Sequence, residues 1–186
     1  LKKIKIPSGE INNLPYLREI ARQKKNVIMS TGMANLSEVS NAIKILKSNG
    51  LPKNKITVLH CTTDYPTNLN DVNLSAMILM RDKLGVKVGY SDHTIGNDVA
   101  IAAATLGASI IEKHLTIDKK LPGPDHKASL DEKEFSKMVK SIRNISQIYG
   151  DRKKVPVPRE KNNIKLIRKS LVANSYIKKG EIFNKK

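Results

Sequence analysis

The chain has 186 residues, 39% of them hydrophobic, and carries a formal net charge of +17. This length is sufficient to bury the core of one domain or slightly more. Because no apolar stretch approaches the roughly 18 residues that a membrane-spanning helix requires, the sequence predicts no membrane partner.

The chain begins at Leu1 rather than at a methionine and opens almost directly on a strand, so we expect the natural start to lie upstream. No secretory signal is visible. The single cysteine, Cys61, rules out an internal disulfide bond and is typical of a reducing compartment. These features predict a cytoplasmic protein.

The excess of positive charge raises the question of nucleic acid binding. Lysine far outnumbers arginine, aromatic residues make up 4% of the chain, and the lysines are spread over predicted helix faces and the C-terminal tail. No aromatic RNA-binding motif and no helix-turn-helix pattern is visible. A solvated, lysine-rich surface is the favoured interpretation, and no nucleic acid partner is expected. Part of the charge could serve a small anionic substrate.

Strand and helix patterns alternate along the first 149 residues. Short apolar runs predict five strands, at residues 3–6, 26–29, 56–59, 86–90 and from 109 onward. Apolar residues at helical spacing predict a helix after each strand, at residues 15–24, 35–48, 73–84, 98–106 and 131–149. Five β/α units in succession predict a parallel sheet with helical crossovers.

Two α/β folds satisfy this pattern, a doubly wound sheet and a (β/α)8 TIM barrel. No Gly-x-Gly-x-x-Gly or Gly-Lys-Ser/Thr loop follows any predicted strand, which disfavours a nucleotide-binding doubly wound sheet. Polar residues follow every predicted strand, as they do at the active-site rim of a barrel. The barrel is therefore the favoured fold, with residues 1–149 forming part of it.

Two histidines follow successive strands, His93 after the fourth and His114 after the fifth. Their separation is that of one β/α repeat, so both imidazoles are predicted to lie at the same end of neighbouring parallel strands. Neutral imidazoles are frequent ligands of divalent metals. The pair therefore indicates a metal site.

The character of the sequence changes after residue 149. Residues 150–163 are charged, contain prolines and lack periodicity, which predicts a linker. Apolar content resumes in residues 164–186, which we interpret as the start of a small, β-rich second domain.

Seven short motifs occur in order along the chain: Lys5-Ile6-Pro7-Ser8-Gly9-Glu10, Ser30-Thr31-Gly32-Met33, His60-Cys61-Thr62, Tyr65-Pro66, Ser91-Asp92-His93-Thr94, Glu112-Lys113-His114 and Pro122-Gly123-Pro124-Asp125-His126. Together they resemble the N-acetylneuraminate (sialic acid) synthases and the closely similar legionaminate synthases. Residues 168–181 are similar to the start of that family's antifreeze-like (SAF) domain. The resemblance covers essentially the whole chain.

The resemblance implies a (β/α)8 barrel of which this chain supplies strands four to eight, followed by an incomplete SAF domain. It implies an enzyme that condenses phosphoenolpyruvate with an N-acyl hexosamine to give a nine-carbon α-keto sugar acid and phosphate. The hexosamine would be N-acetylmannosamine or a 2,4-diacetamido-6-deoxy relative, and the full-length protein would be a homodimer. Two alternatives remain open, another metal-dependent barrel aldolase or isomerase and a truncated, inactive fragment.

The resemblance also implies roles for individual residues. Glu10, with a proposed acid/base role, and the metal ligands His93 and His114 are the candidate catalytic residues. The ion would be Mn²⁺, with Mg²⁺ or Co²⁺ as alternatives. The candidate phosphoenolpyruvate contacts are Lys5, Ser8, Ser30, Thr63 and Ser91, and the candidate sugar contacts are Tyr65, Glu112 and Asp125. The family often has an asparagine where this chain has Thr63. Threonine can still donate one hydrogen bond, so the contact would be retained by a shorter side chain.

The remaining expectations concern side-chain direction and supporting residues. Glu112 shares the strand parity of His114, so both are predicted to face the barrel interior while Lys113 points outward. Cys61 is predicted to face a helix as a small apolar residue without a catalytic role. His60 and His126 match family motifs and are assigned supporting roles.

Overall fold

The computed structural model describes residues 1–182, which belong to two units. The first unit is Leu1–Gly150, and the second begins at Asp151. The strands of the first unit are β1 (Lys3–Ile6), β2 (Asn26–Ser30), β3 (Ile56–His60), β4 (Lys87–Asp92) and β5 (Ile111–Lys113). Its helices are α1 (Leu14–Arg22), α2 (Leu36–Ser48), α3 (Leu74–Leu84), α4 (Asp98–Thr105) and α5 (Glu132–Tyr149).

The strands of the described chain form one five-stranded sheet with the order β1-β2-β3-β4-β5. All neighbouring strands are parallel, and a helix follows each strand. The predicted α/β fold with a parallel sheet and helical crossovers is confirmed. Because parallel strands run in the same direction, their carboxyl ends meet at one edge of the sheet.

One face of the sheet packs against the helices. Side chains of this face, among them Ile6, Met29, Val58 and Tyr90, belong to a hydrophobic core shared with helical residues such as Leu46. Since successive side chains of a strand point to opposite faces, Lys5, Ser30, Ser91 and Glu112 lie on the other face, which we call the inner face.

The sheet is strongly curved towards its inner face. Lys5 on β1 and Glu112 on β5 stand on opposite edges of the sheet, yet Lys5 Nζ lies 3.4 Å from Glu112 Oε1. In a flat sheet, four strand spacings would separate these strands by about 19 Å. Curvature with helices on the outside is the geometry of a barrel and not of a doubly wound sheet. The five strands form a half-barrel.

Local signals in the sequence set the ends of the helices. Asn35 caps α2 by accepting a hydrogen bond from Glu38 N, and Glu38 Oε2 in turn accepts one from Asn35 N. Asp131 and Glu134 form the same capping box at the start of α5. Each box satisfies main-chain donors that the first turn of a helix leaves unpaired. These caps determine where α2 and α5 begin, after the loops that follow the carboxyl ends of β2 and β5.

The second unit contains the short helix α6 (Lys161–Ile167). Residues 151–182 of this unit include no strand. The β-rich domain predicted for residues 164–186 therefore stays a prediction, and its last residues, 183–186, lie outside the described part of the chain. The linker predicted for residues 150–163 overlaps the first turn of α6.

None of the helices formed by residues 1–182 combines the length and the hydrophobicity that crossing a membrane demands.

Candidate active site at the carboxyl ends of the strands

Glu112 is the centre of the polar contacts on the inner face. Its Oε1 accepts a hydrogen bond of 2.7 Å from Ser91 Oγ and lies 3.4 Å from Lys5 Nζ. The side chains of Lys5 and Glu112 are 36% and 40% exposed, so water screens this ion pair and it adds little to stability. The structure thus brings together three predicted site residues. Lys5 and Ser91 are candidate phosphoenolpyruvate contacts, and Glu112 is a candidate sugar contact.

A second cluster joins the exits of β1, β2 and β3. Gly32 N donates a hydrogen bond of 3.0 Å to Ser8 Oγ, and Cys61 Sγ lies 3.3 Å from the same hydroxyl. A Cβ added at Gly32 would collide with Thr63 Oγ1 and would lie 3.0 Å from Ser8 Oγ. The absence of a side chain at Gly32 therefore leaves room for Thr63 Oγ1 beside the Cα of Gly32, while Ser8 Oγ accepts from its amide.

Cys61 lines a cavity together with Leu36 of α2 and Ala76 of α3, so the prediction that it faces a helix is confirmed in part, but its contacts also extend to the inner face. Its sulfur contacts Ser8 Oγ, because Cys61 has the strand parity of Thr57 and Leu59, which belong to the inner face. The neighbouring His60 has the opposite parity. Its Nε2 lies 2.8 Å from Val72 O and its ring packs beside Tyr90 in the core.

Ser30 is a buried hydroxyl without a partner. The residue is 3% exposed, and its Oγ makes no hydrogen bond to any residue that the structure describes. Buried polar atoms in folded proteins are almost always hydrogen-bonded, and an unpaired one costs about 1–3 kcal/mol. An orphaned donor at the end of β2, on the inner face, is therefore available to a ligand.

His93 has a defined tautomer. Its Nδ1 lies 2.7 Å from Thr62 O, and since a carbonyl only accepts, Nδ1 carries the proton. In the neutral ring the lone pair is then on Nε2, which lies 3.4 Å from Ser91 Oγ. Burial lowers the pKa of His93, which favours the neutral form. A main-chain carbonyl that orients the ring through its other nitrogen is the usual arrangement around a metal-binding histidine.

The rings of Tyr65 and His114 lie beside that of His93. The centroid of the His114 ring is 5.4 Å away in an edge-on arrangement, and the Tyr65 ring is 4.2 Å away. Tyr65 also packs against His114 at 5.6 Å. His114 Nδ1 lies 3.8 Å from Asp125 Oδ2. The structure therefore brings together the two predicted metal ligands and two of the predicted sugar contacts.

The two histidines do not form a complete metal cage with other side chains. Among residues 1–182, no group of three or more His, Cys, Asp or Glu side chains is arranged to hold a metal ion. His93 and His114 fit a site in which the protein supplies two nitrogen ligands and oxygen ligands come from water or substrate. The metal stays a prediction.

Glu10 and His126 lie in other contacts. Asn13 Nδ2, at the start of α1, donates a hydrogen bond of 2.6 Å to Glu10 Oε2. The Nδ1 of His126 lies 2.8 Å from Thr116 Oγ1, within the loop that follows β5. Within residues 1–182, the side-chain hydrogen bond of Glu10 is thus made to α1 rather than to the histidines.

One buried ion pair was not foreseen from the sequence. Lys113 leaves the strand away from the inner face, as predicted, but its side chain is 1% exposed. Its Nζ lies 2.8 Å from Asp92 Oδ2, and Asp92 is fully buried. From the sequence, a lysine next to the candidate ligand His114 is expected to be exposed to solvent. Strand parity gives the face on which Lys113 lies but does not identify Asp92 on the neighbouring strand as its partner.

Comparisons with known proteins identify relatives of this chain. Residues 1–154 match the NeuB family. The chain is 53% identical over 184 residues to N,N'-diacetyllegionaminic acid synthase of Campylobacter jejuni, covering 99% of this chain and 55% of the relative. It is 44% identical to the Legionella pneumophila protein of the same name, covering 100% of this chain and 52% of that relative.

A solved structure also matches closely. The crystal structure of N-acetylneuraminic acid (sialic acid) synthetase from Leptospira borgpetersenii serovar Hardjo-bovis, in complex with citrate, superimposes with a TM-score of 0.79 at 37% identity. The match covers 89% of this chain and 57% of that chain. The present chain spans about half the length of the curated relatives it matches.

Proposed function

The chain belongs to the NeuB family, and on that premise we propose that it takes part in the condensation of phosphoenolpyruvate with an N-acyl hexosamine. The products would be a nine-carbon α-keto sugar acid and phosphate. Relatives named N,N'-diacetyllegionaminic acid synthase, at 53% and 44% identity, favour a 2,4-diacetamido-6-deoxy hexosamine over N-acetylmannosamine as the acceptor.

The observation that carries this proposal is the unpaired hydroxyl of Ser30 on the face that also holds Lys5 and Ser91. A charged amine and hydroxyl donors at the carboxyl ends of neighbouring strands suit an anion that bears a phosphate and a carboxylate. We propose that Lys5, Ser8, Ser30, Thr63 and Ser91 bind phosphoenolpyruvate. Since Lys5 and Ser91 both contact Glu112, the bound anion would replace the carboxylate as their partner.

We propose that His93 and His114 hold a divalent ion, Mn²⁺ in preference to Mg²⁺ or Co²⁺. Such an ion would act as a Lewis acid towards the carbonyl group of the sugar. The chain's contribution is to keep the imidazole of His93 neutral and oriented, through burial and the hydrogen bond to Thr62 O.

The sugar would lie against the ring of Tyr65, with Asp125 and Glu112 accepting hydrogen bonds from its hydroxyl groups. Tyr65 already covers both imidazoles, so a sugar held there is close to the candidate metal ligands. We assign the proton transfers to Glu10, which would have to exchange its contact with Asn13 for one with substrate. We expect the complete protein to be a homodimer.

The test is a phosphate-release assay on the longest natural polypeptide that contains this chain, called the full polypeptide below. Phosphoenolpyruvate is offered with N-acetylmannosamine and with 2,4-diacetamido-6-deoxy hexosamines, with and without Mn²⁺. We expect release to be fastest with a diacetamido sugar. Absence of release with every N-acyl hexosamine would contradict the proposal.

A variant extends the test to the metal. His93→Ala should lower turnover by more than about tenfold, because the ion would lose one of its two protein ligands. Glu19→Gln on the exposed face of α1 serves as the control and should retain wild-type turnover. Near-normal turnover of His93→Ala would contradict the assignment of His93 as a metal ligand, but it would not contradict the proposed condensation.

A further inference from the structure

The ion pair of Asp92 and Lys113 is completely shielded from solvent. The two side chains are 0% and 1% exposed, and Lys113 Nζ lies 2.8 Å from Asp92 Oδ2. Both residues stand on the helix-facing side of the sheet, opposite the candidate active site. The pair is therefore too deeply buried to touch a substrate.

The two residues are direct register partners. Asp92 on β4 pairs with Lys113 on β5, and each is followed immediately along the chain by a candidate metal ligand, His93 and His114. The ion pair thus links the two strands at the last position before the imidazoles. Any slip or separation of the strand ends would move one ring relative to the other.

Thr94 closes the arrangement on the far side of His93. Its main-chain N and its Oγ1 donate to Asp92 Oδ1, at 2.9 and 2.7 Å. Its main-chain carbonyl accepts a hydrogen bond of 2.5 Å from Lys113 Nζ. His93 is the central residue of a turn whose two ends, Asp92 and Thr94, are both bound to Lys113. The direction in which its side chain leaves the main chain is thereby fixed.

Stability alone is a weak explanation for charged residues at these positions. Removing two ions from water costs several kcal/mol per ion, and well-packed apolar residues at such positions are often equally or more stabilising. The best-attested use of a buried polar pair is to specify one register among several. Here the specified register is that of the two strand ends that carry the imidazoles.

We propose that Asp92 and Lys113 are positioning residues that set the separation and orientation of His93 and His114. The inference rests on the proposed function in so far as the two imidazoles hold a metal. The part that concerns ring placement stands on the geometry of the pair alone.

The test uses the full polypeptide with the double substitution Asp92→Asn and Lys113→Met. Asparagine keeps an oxygen for Thr94, and methionine keeps most of the volume of lysine, so the variant retains the packing while losing the charged link. The matched control is Glu19→Gln with Arg22→Met, which removes an exposed pair of 3.3 Å on α1 with the same change in charge. The readouts are the Mn²⁺ dissociation constant by electron paramagnetic resonance, the thermal unfolding midpoint and the crystal structure.

We expect the dissociation constant for Mn²⁺ to rise by about tenfold or more. The separation of the ring centroids, 5.4 Å in the wild type, should change by more than about 0.5 Å or split into two conformers. The control should match the wild type in both. A folded double variant with unchanged ring separation would overturn the inference, even if its unfolding midpoint falls, because the pair would then serve stability alone.

A second double substitution, Asp92→Asn with Lys113→Gln, guards against a first double variant that fails to fold. It leaves no unpaired charge in the core and keeps a side-chain donor near Thr94 O, so the same change in ring separation is expected in weaker form. If the wild type itself binds no Mn²⁺, the metal assignment under the proposed function fails, whereas the crystallographic readout still decides the inference. Unchanged rings in this second double variant would count against the pair as a positioning element.

Discussion

Lys5 and Glu112 belong to the two edge strands of the sheet, and their charged atoms lie 3.4 Å apart across its concave face. Ser91 Oγ donates to the same Glu112 oxygen. The carboxylate of Glu112 thus contacts both the ammonium group of Lys5 on β1 and the hydroxyl of Ser91 on β4. Both groups are oriented before any anion arrives, and the partial exposure of the Lys5 side chain leaves it free to exchange its partner.

Replacing Lys5 with methionine should weaken phosphoenolpyruvate binding. The ammonium group is the charged donor proposed for the anion, and a hydrogen bond to a charged group contributes about 1.5–3 kcal/mol. We therefore expect the KM for phosphoenolpyruvate to rise by about ten- to a hundredfold, as measured by steady-state phosphate release. Lys44→Met, on the exposed side of α2, is the control. Equal KM values in the two variants would argue against an anion site at Lys5.

Adding a methyl group at Gly32 should disturb the cluster at the ends of β1 to β3. The new Cβ would collide with Thr63 Oγ1 and press on Ser8 Oγ. We expect Gly32→Ala to raise the KM for phosphoenolpyruvate at least about tenfold, since both neighbours are proposed ligands. Because Thr63 is itself a proposed ligand, the effect of crowding is isolated in a Thr63→Ala background, where Gly32→Ala should raise KM less than it does in the wild type. An equal rise in both backgrounds would show that crowding against Thr63 is not the cause.

The Tyr65 ring and its hydroxyl should have separable roles. Tyr65→Phe keeps the ring beside His93, at 4.2 Å in the wild type, and removes only the hydroxyl, which we expect to form a hydrogen bond with the sugar that lies against the ring. We expect the KM for the hexosamine to rise about three- to tenfold, the value of one neutral hydrogen bond, with no change in Mn²⁺ affinity. Tyr65→Ala should affect both quantities. A hexosamine KM that is unchanged in both variants would place the sugar elsewhere.

Acidification should destabilise the fold through its buried histidines. Burial lowers the pKa of both His60 and His93 below the ordinary value of 6.5. As the pH falls through 6.5, the unfolded chain takes up protons that the folded chain does not, so the free energy of unfolding decreases. Urea unfolding of the full polypeptide at about pH 8 and about pH 5.5 measures the difference.

A substitution identifies the source of that pH dependence. His60→Gln keeps an amide donor near Val72 O but has no proton to gain in this range. Its unfolding free energy should vary less between the two pH values than that of the wild type. A wild-type protein that is equally stable at both values would contradict the expectation for both histidines.

Strand parity allowed the inner face to be predicted from the sequence. Hydrophobic alternation placed the first four strands within two residues of their observed ends, and it assigned Glu112 to the inner face, where it contacts Lys5 and Ser91. The fifth strand begins at Ile111 instead of residue 109. Residue 109 already bonds to β4, since Ser109 N donates to Val88 O. A contact of this kind has no signature in a single sequence.

The partners of the polar side chains were harder to predict than their faces. Parity places Lys113 on the outside of the half-barrel, but only the three-dimensional register shows that Asp92 lies directly beside it. Cys61 was predicted to face a helix as a small apolar residue. It is buried beside α2 and α3, but its sulfur also lies 3.3 Å from Ser8 Oγ, a contact with the exit of β1 that the sequence did not indicate.

The hydrogen bond from His93 Nδ1 to Thr62 O also limits which compounds can address this histidine from the inner face. With its proton engaged by the main chain, the neutral ring offers an incoming molecule only a lone pair. An inhibitor that presents a hydroxyl or amide donor, or a chelating group that shares a metal with Nε2, matches that surface. A compound that presents only acceptor atoms would be repelled, because its lone pairs would face the lone pair of Nε2.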